Sequence, residues 1–340
     1  MTFEVPSETP MFYEEAKSDP NTMWIVKPAG SCRGKGIFIF KKLSKFEEWK
    51  NNMDWSPKER QRSDNPGDIE MVPEVWVVQK YISNPYLWNG KKFDIRMYVL
   101  VTSFSPLKVW IARDGFARFS GLPYCNDNFN DKYTHLTNTS IQLSDKTQTQ
   151  GHKWDIQNLR HLLTALHGRE VVNEVFQNIA TVVITSLKTV DKIMVCNCNN
   201  YFELYGYDIL LKDDLTVVLL EINAGPSLCG TDEHDYKLKF NLIQDVLNVV
   251  DFEGRLTGKE IRVGGFDKVW SNGPVYQISK GINIPEFCKT SHLYNMYLGC
   301  VNDREEQLKE MYMWTKLLKK KTTKGSDCKY WLENVRKKTV

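Results

Sequence analysis

The sequence predicts an α+β fold made of antiparallel-rich sheets with flanking helices. Two observations lead to this fold class. Short runs rich in Val, Ile, Tyr, Phe and Trp dominate residues 24–142, which is the composition of β-strands. Two long amphipathic stretches follow these runs instead of alternating with them, so the pattern differs from that of a parallel βαβ sheet.

The strand predictions come first along the chain. The runs are "MWIVKP", "GIFIF", "EVWVVQKYI", "FDIRMYVLVTSF", "LKVWIARDGFARF" and "HLTNTSIQL". Asp114-Gly115 inside the fifth run is a hairpin-turn signal, because Asp-Gly pairs suit turns that need positive φ. The polar segment "SPKERQRSDNPGDIE" between the second and third runs predicts a loop.

Two helices are predicted next. Asp155 can cap the first helix, Gly168 ends it, and its apolar residues lie on one face. A second apolar stripe with helical spacing runs from Val171 to Val190. "FELYGYDILLKDDLTVVLLEIN" predicts two strands joined at residues 212–215, and "YKLKFNLIQDVLNVV" predicts a closing helix. Periodicity is lost from residue 251 onward, which predicts a less regular extension.

Composition and charge limit the class of protein. With 340 residues, 41% of them hydrophobic, the chain can bury a core. The sequence has no run of eighteen apolar residues and no signal-peptide pattern at its start, so neither membrane insertion nor secretion is predicted. Eight irregularly spaced cysteines are typical of reduced thiols in the cytoplasm. Residues 309–340 hold ten Lys or Arg against three acids, which indicates either attraction to a polyanion or a solvated terminus.

A glycine-rich basic loop separates the first two strand runs. Its glycines are Gly30, Gly34 and Gly36, and its cations are Lys27, Arg33 and Lys35. Glycines allow close backbone approach and cations add charge, a combination that suits phosphate. The spacing matches neither G-x-x-x-x-G-K-[ST] nor G-x-G-x-x-G. A lid over a nucleotide and an ordinary basic β-turn both stay open on this pattern.

Oxygen-bearing side chains gather in the last strand pair. Glu221 and Asn223 face the same side of one strand because side chains alternate along a strand. Pairing about a turn at residues 213–214 places residue 219 opposite Asp208, with Glu221 as a diagonal neighbour. Asp, Glu and Asn oxygens without His or Cys suit Mg²⁺ held together with nucleotide phosphates. A solvated strand end with unrelated acids is the alternative.

A third group of charges lies in "KKFDIRMYVL". Lys92, Asp94 and Arg96 alternate along this strand and share one face, opposite Phe93 and Ile95. A surface ladder of ion pairs would give the same pattern. We favour a functional site because the charges lie beside strands that should be buried.

In order, "WIVKP", "GKG", "VVQKYI", "KKFDIRMYVL", "THLTN", "YGYDILL" and "LLEINAGPSL" resemble the tubulin tyrosine ligase-like family over roughly residues 20–250. The resemblance implies an ATP-grasp fold. Residues 1–90 would form the central subdomain with lid and hinge, residues 91–250 the C-terminal subdomain with the metal site, and residues 251–340 an irregular basic extension. We expect the family's N-terminal domain to be missing ahead of Lys27, and Gly225 replaces a serine that is more usual in the family.

The resemblance also assigns roles to single residues. Lys27 and Arg96 would be catalytic, with Lys27 on the ATP phosphates, and Arg118 and Lys153 would hold free glutamate. The lid residue Arg33 would contact both the nucleotide and the acceptor protein. Further ATP contacts would be Gly34 in the lid, the hinge residues Gln79, Lys80, Tyr81 and Ile82, then Lys92, Phe93 and Asp94, and finally Thr137 and Asn138. The metal ligands would be Asp208, Glu221 and Asn223, while His135 is interpreted as a packed strand residue outside the site.

The family implies an ATP- and Mg²⁺-dependent ligase that adds L-glutamate to glutamate side chains in acidic tubulin tails through an acyl phosphate. Tubulin, free glutamate and other subunits of a polyglutamylase complex would be its partners, and neither nucleic acid nor membrane would be. We expect it in the cytoplasm and cytoskeleton, including the cilium or flagellum and the basal body. A glycine ligase of the same chemistry and a non-catalytic microtubule-binding subunit are the alternatives.

Overall fold

The computed structural model describes residues 1–29, 36–53, 55, 58–61, 69–72, 75–125, 131–142, 153–194, 201–277 and 293–322. The chain forms two compact units. The first comprises Met1–Phe93, Arg118–His152 and Lys212–Asp214, and the second comprises Asp94–Ala117, Lys153–Leu211 and Leu215–Val340. The division at residues 90 and 250 that the family pattern suggests stays a prediction.

A four-stranded antiparallel sheet forms the centre of the first unit. Its strands are β1 (Thr2–Val5), β2 (Trp24–Pro28), β3 (Phe38–Phe40) and β6 (Trp76–Lys80), in the order β1-β6-β2-β3, with helices α1 (Thr9–Ser18) and α2 (Leu43–Asn52). Strands β4 (Lys58–Gln61) and β5 (Ile69–Val72) pair with each other in a separate two-stranded sheet. β4 and the first two residues of β5 lie in the segment where polar composition predicts a loop, so that prediction is wrong for these residues.

Aromatic side chains fill the core of the first unit. Phe12 on α1 is fully buried, and its ring centroid lies 4.7 Å from that of Phe46 on α2 and 5.1 Å from that of Trp24 on β2. Trp76 on β6 is also buried, with its ring 5.0 Å from that of Trp49. Aromatic contacts bury large apolar areas, so they hold both helices against the sheet. This packing fixes β2 and β6, which bear several of the predicted nucleotide contacts.

The larger sheet lies mostly in the second unit. Its strands are β8 (Lys91–Phe104), β9 (Leu107–Phe119), β11 (Glu203–Leu211), β12 (Val217–Asn223), β13 (Arg262–Val263) and β14 (Phe266–Ser271), in the order β12-β11-β8-β9-β14-β13. Two short strands, β7 (Leu87–Trp88) and β10 (Lys153–Asp155), pair with β8 and β9 respectively. β11 runs antiparallel to both β8 and β12, as the predicted fold class requires.

Helices cover both faces of the larger sheet. The remaining helices are α3 (Lys132–His135), α4 (Thr139–Gln142), α5 (Ile156–His167), α6 (Arg169–Val190), α7 (Glu233–Val250) and α8 (Arg304–Thr322). Leu242 on α7 and Met311 on α8 join the hydrophobic cluster of Tyr98 on one face. On the other face, the hydroxyls of Ser186 on α6 and Tyr207 on β11 are 2.9 Å apart. No described helix is long and apolar enough to span a bilayer.

The predicted helices are present, but the Asp155 side chain makes no capping hydrogen bond at the start of α5. α5 begins after Asp155 and ends at Gly168, and α6 covers the second apolar stripe. Gly168 has a φ of 84°, a left-handed conformation that favours glycine and separates the two helices. β11 and β12 flank the turn predicted at residues 212–215. β13, β14 and α8 lie in the region where the sequence loses periodicity.

Two predictions about strands are wrong. Asp114-Gly115 lies inside β9 rather than in a hairpin turn. A Cβ on Gly115 would be 2.6 Å from the Arg96 carbonyl oxygen, so this glycine permits the close approach of neighbouring strands. The predicted strand "HLTNTSIQL" instead contains the end of α3 and the whole of α4. Asp131 Oδ1 accepts a hydrogen bond from the Tyr133 N–H at 2.9 Å, and such local turn chemistry outweighs β-propensity.

Candidate active site

Three charged side chains line up across three neighbouring strands of the larger sheet. Arg96 on β8 pairs with Asp208 on β11, and Asp208 pairs with Glu221 on β12. Residues that pair directly across antiparallel strands point to the same face. Arg96, Asp208 and Glu221 therefore form one row, which we call the charged row.

A β-bulge between Asp208 and Ile209 sets this alignment. Next to the bulge, Ile209 pairs with Leu219, which leaves Leu220 as the extra residue on β12. The predicted pairing of residue 219 with Asp208 is therefore wrong. Glu221 is a direct neighbour of Asp208 instead of a diagonal one. Directly opposite side chains lie closer together than diagonal ones, so the two carboxylates are nearer to each other than predicted.

Arg96 and Asp208 form a bidentate ion pair. Arg96 Nη2 donates to Asp208 Oδ2 at 2.9 Å, and Arg96 Nε donates to Asp208 Oδ1. The two side chains are 11% and 3% exposed, so water screens the pair weakly. A guanidinium held by both oxygens of a carboxylate has a fixed orientation. A fixed orientation suits a cation that must bind a negative charge at one defined position.

Asn223 adds a side-chain oxygen at the exposed end of the charged row. Glu221 is exposed, and Asn223 Nδ2 donates to Glu221 Oε1 at 3.2 Å and to the Gly206 carbonyl oxygen at 3.4 Å. These bonds use the NH₂ group of the amide and orient its oxygen. Asn223 pairs with Gly206, two residues before Asp208, so its side chain lies on the same face as the charged row.

This set of donors fits Mg²⁺. Magnesium takes oxygen ligands and is usually held by one or two carboxylates, with phosphate and water completing its shell. Asp208, Glu221 and Asn223 supply two carboxylates and an amide oxygen from two adjacent strands. Within the part of the chain that the structure describes, no three His, Cys, Asp or Glu side chains group to hold a metal. The predicted set does not require such a group, because its third ligand is an amide.

Gly206 makes room for the Arg96 side chain. A Cβ on Gly206 would be 2.9 Å from Pro226 Cβ and 3.4 Å from both Cδ and Nη1 of Arg96. Any larger residue would have to displace the segment that holds Pro226 or the guanidinium itself. The absence of a side chain at this position therefore permits the geometry of the Arg96 ion pair.

In the first unit, Lys27 contacts the predicted hinge. Lys27 Nζ on β2 donates to Gln79 Oε1 on β6 at 3.2 Å. Lys27 pairs with Val77, so Lys27 and Gln79 lie on the same face of the sheet. Arg33 and Gly34, the predicted lid residues, lie outside the described residues.

The predicted hinge covers the last residues of β6 and the two residues that follow it. Lys80 is exposed, Tyr81 is buried and Ile82 is half-buried. The Lys80 N–H donates to the Met1 carbonyl at 3.1 Å, and the Tyr81 N–H donates to the Met23 carbonyl at 2.8 Å. These two amides are engaged in the sheet, so they hold the hinge in place. The role of the hinge backbone in reading adenine stays a prediction.

Lys92, Tyr81 and His135 form a buried polar cluster in the first unit. Lys92 Nζ donates to Tyr81 Oη at 3.2 Å and to the His135 carbonyl oxygen at 3.0 Å. Tyr81 Oη and His135 Nδ1 are 3.0 Å apart. Burial raises the pKa of the Tyr81 phenol, so Tyr81 meets the lysine as a neutral hydroxyl. His135 ends helix α3, so the interpretation of this residue as part of a strand is wrong.

The other predicted nucleotide contacts are mostly buried. Phe93 is 1% exposed and its ring lies 5.1 Å from that of Phe119, which is a core position. Asp94 is also buried, two residues before Arg96 in β8. Thr137 is buried, and the carbonyl of Asn138 accepts the first backbone hydrogen bonds of α4. Their contacts with ATP stay predictions.

The two residues predicted to hold glutamate belong to different units. Arg118, near the end of β9 in the first unit, is 8% exposed and thus not a surface cation. Lys153 on β10 in the second unit donates from Nζ to Thr231 Oγ1 at 2.8 Å and lies 3.2 Å from Asp235 Oδ2. The sequence pattern does not predict these partners of Lys153.

Three residues of these clusters were missed at the level of sequence. Gly206 occurs in the quoted motif "YGYDILL", yet nothing there distinguishes it from a strand glycine. His135 occurs in "THLTN", where its apolar and β-branched neighbours favoured a strand. Asp235 precedes a lysine by four residues on α7, a spacing that predicts an ion pair but no contact with Lys153.

Comparisons with known proteins identify the family. The family model described as "Tubulin-tyrosine ligase family" matches residues 1–256. "Probable tubulin polyglutamylase TTLL9" of Bos taurus is 42% identical over 330 residues, which cover 92% of this chain and 71% of the relative. "Probable tubulin polyglutamylase ttll-9" of Caenorhabditis elegans is 40% identical over 282 residues, covering 82% and 64%. "Tubulin glycylase 3D" of Tetrahymena thermophila is 31% identical over 277 residues, covering 78% and 24%. On this match, the chain belongs to the tubulin-tyrosine ligase family.

Proposed function

We propose that this chain is an ATP-dependent carboxylate–amine ligase that attaches free L-glutamate to glutamate side chains in the acidic tails of tubulin. The bovine and nematode relatives are named as probable tubulin polyglutamylases, which supports this reaction and this substrate. The observation on which the proposal rests is the charged row. It sets a rigidly held cation beside oxygen donors of the kind that Mg²⁺ binds, a combination that suits phosphoryl transfer.

The reaction must first activate a carboxylate, because a carboxylate is a poor electrophile at neutral pH. Transfer of the γ-phosphoryl group of ATP to the acceptor carboxylate gives ADP and an acyl phosphate. The amine of free glutamate then attacks the acyl carbon. The C–N bond forms as the C–O bond to the phosphate breaks, the nitrogen loses a proton, and inorganic phosphate leaves.

The charged row acts on the phosphoryl group. Arg96 would stabilise the negative charge that develops during transfer, and Asp208 keeps its guanidinium oriented. Asp208, Glu221 and Asn223 would hold Mg²⁺, which when bound neutralises phosphate charge. Loss of one preorganised electrostatic group typically lowers the rate by about 10²–10³-fold.

The first unit would supply the nucleotide contacts. Lys27 is positioned by Gln79, and Lys92 is positioned by the Tyr81 hydroxyl and the His135 carbonyl. These bonds fix the place of each ammonium group before the nucleotide arrives, and a cation that is already in place loses little freedom when it meets phosphate.

Substrate recognition would rest on positive charge. Arg118 and Lys153 would pair with the carboxylates of free glutamate, and Arg33 would meet the acidic acceptor tail. The ten Lys or Arg residues in 309–340 would draw the chain toward the anionic microtubule surface. We accordingly expect the protein on the microtubule cytoskeleton, including the cilium or flagellum and the basal body, where other subunits of a polyglutamylase complex would join it.

Incorporation of labelled glutamate into microtubules tests the proposal. The full chain with ATP, Mg²⁺ and ³H-glutamate should label tubulin tails, and Glu221→Gln should lower the rate by about 10²-fold or more. Glu203→Gln is the matched control, because Glu203 lies on β11 away from the charged row and its carboxylate bonds to Tyr201.

Two further arms of this assay separate the alternatives. Labelling with ³H-glycine in preference to ³H-glutamate would identify a glycine ligase. Sedimentation with microtubules without incorporation of either amino acid, alone or with partner subunits, would identify a non-catalytic binding subunit. Equal activity of the Glu221→Gln variant and the wild type would refute the role of the charged row.

A further inference from the structure

One buried carboxylate is shared by two lysines at the start of α7. Asp235 Oδ2 lies 2.8 Å from Lys239 Nζ and 3.2 Å from Lys153 Nζ. The same oxygen accepts hydrogen bonds from the Thr231 N–H at 2.9 Å and from Thr231 Oγ1 at 3.1 Å. Asp235 and Lys239 are only 3% and 5% exposed, so this cluster is part of the interior and is weakly screened.

The first turn of α7 holds Asp235 in position. Its N–H donates to the N-cap residue Asp232 at 2.9 Å, in the first turn of α7, where the helix dipole favours an acid. The spacing of four residues puts Lys239 beside it on the same face of the helix. Lys239 Nζ also donates to the Cys229 carbonyl at 2.5 Å, so this lysine is held from two sides. Lys239 is therefore an anchor for the carboxylate.

Lys153 is the more exposed of the two lysines. Its Nζ lies 5.0 Å from the centroid of the Phe116 ring and bonds to Thr231, and its side chain keeps 19% exposure. Burial lowers the pKa of Lys153, Asp235 and Asp232 oppose this, and Lys239 adds to it. The neighbouring groups His234 and Asp155 lie 3.4 Å apart and pair with each other. Among the charged neighbours of Lys153, Asp235 therefore has the largest effect on the charge of its ammonium, and Asp235 contacts that ammonium directly.

We infer that Asp235 is a positioning residue that orients Lys153 toward the carboxylate of the incoming glutamate. The glutamate role of Lys153 rests on the proposed function, whereas the orientation by Asp235 rests on the contacts above. A purely structural ion pair is the competing explanation. Buried ion pairs add little net stability, since desolvation offsets the attraction, so stability alone does not account for two lysines on one acid.

Asp235→Asn tests the inference in the full chain, with Asp245→Asn as the matched control. Asp245 is a buried carboxylate on the same helix, but its partner is Arg304, whose Nε lies 2.8 Å from Asp245 Oδ2. Loss of a charge-assisted bond should raise the KM for glutamate about tenfold in Asp235→Asn, with the KM for ATP changed less than about twofold. The alkaline limb of kcat/KM for glutamate should move to lower pH, because Lys153 loses the charge that raises its pKa. Asp245→Asn should lower the melting temperature without changing either KM.

Equal increases in both KM values, or an unchanged KM for glutamate, would overturn the inference. A second readout needs no turnover. Brief acetylation with acetic anhydride at pH 8, followed by mass spectrometry, should label Lys153 several-fold faster in Asp235→Asn than in the wild type or Asp245→Asn. Equal labelling rates would also overturn the inference. Absence of any glutamate incorporation by the wild type, by contrast, would refute the proposed function and leave the labelling result to decide on Asp235.

Discussion

Replacement of Gly206 by alanine changes the geometry of the charged row without removing any of its charges. The new Cβ would lie 2.9 Å from Pro226 Cβ, whereas ordinary contacts begin at 3.4 Å, so the two groups must separate by about 0.5 Å. The same Cβ would touch Arg96 at Cδ and Nη1, both at 3.4 Å. Because only the Pro226 contact is too short, the least costly response is a shift of the segment that follows β12 or of β11, which carries Asp208 and therefore the ion pair with Arg96.

The expected loss follows from this displacement. Misplacement of reacting groups by 1 Å can lower a rate by about 10²-fold, so a shift of half that size should lower kcat about tenfold. Overpacking of this kind should also lower the free energy of unfolding by about 1–3 kcal/mol. Initial rates of labelled glutamate incorporation at saturating ATP, together with urea denaturation, measure both effects.

Gly225→Ala is the control for this prediction. In the described parts of the chain, and apart from the two residues next to it in sequence, no heavy atom lies within 4 Å of the Cβ that this change would add, although Gly225 follows Asn223 by only two residues. Rate and unfolding midpoint should match those of the wild type. If Gly206→Ala and Gly225→Ala incorporate glutamate at the same rate, the argument that Gly206 sets the position of Arg96 is wrong.

Three further changes probe the two units separately. Asp208→Asn leaves the weakly exposed Arg96 guanidinium without its counter-charge and should lower the free energy of unfolding by about 3–5 kcal/mol in urea denaturation; an unchanged midpoint would contradict this. Burial raises the pKa of Tyr207 to about 12, above the ordinary value of about 10, so stability that is complete below pH 10 is lost as the pH rises toward 12. Tyr207→Phe should therefore show a shallower loss of stability between about pH 10 and 12 than the wild type, and equal slopes would refute this assignment. His135→Phe removes a partner of the buried Tyr81 hydroxyl, which should cost about 1–3 kcal/mol in urea denaturation and raise the KM for ATP more than the KM for glutamate; equal changes in the two KM values would count against a nucleotide role for this cluster.

Elements with strong periodicity could be predicted from the sequence. The apolar stripes of α5 and α6 recur at helical spacing over many residues, and Gly168 marks the break between them. The family match confirms the predicted α+β, ATP-grasp class. Periodicity alone identifies helices and strands but not this fold. Asp114-Gly115 was misread because a glycine needed for close strand packing looks the same in sequence as a glycine needed for a turn.

The candidate site could be predicted in part. Strand alternation placed Glu221 and Asn223 on one face, but the direct pairing of Glu221 with Asp208 depends on a bulge that alternation does not reveal. Contacts such as that between Lys92 and the His135 carbonyl join residues far apart in the chain. Such contacts depend on tertiary packing, which a single sequence does not encode as a local pattern.

The bulge on β12 has a consequence for how this hairpin can change during evolution. Leu220 takes up one residue without a partner, so a relative that lacks this residue would still align its acid with Asp208, because Leu219 would keep its pairing with Ile209. An insertion between Glu221 and Asn223 has no such reserve, since it would turn the amide to the other side of the strand. One residue can therefore be lost before the acid, whereas the spacing after it is fixed by the oxygen ligands.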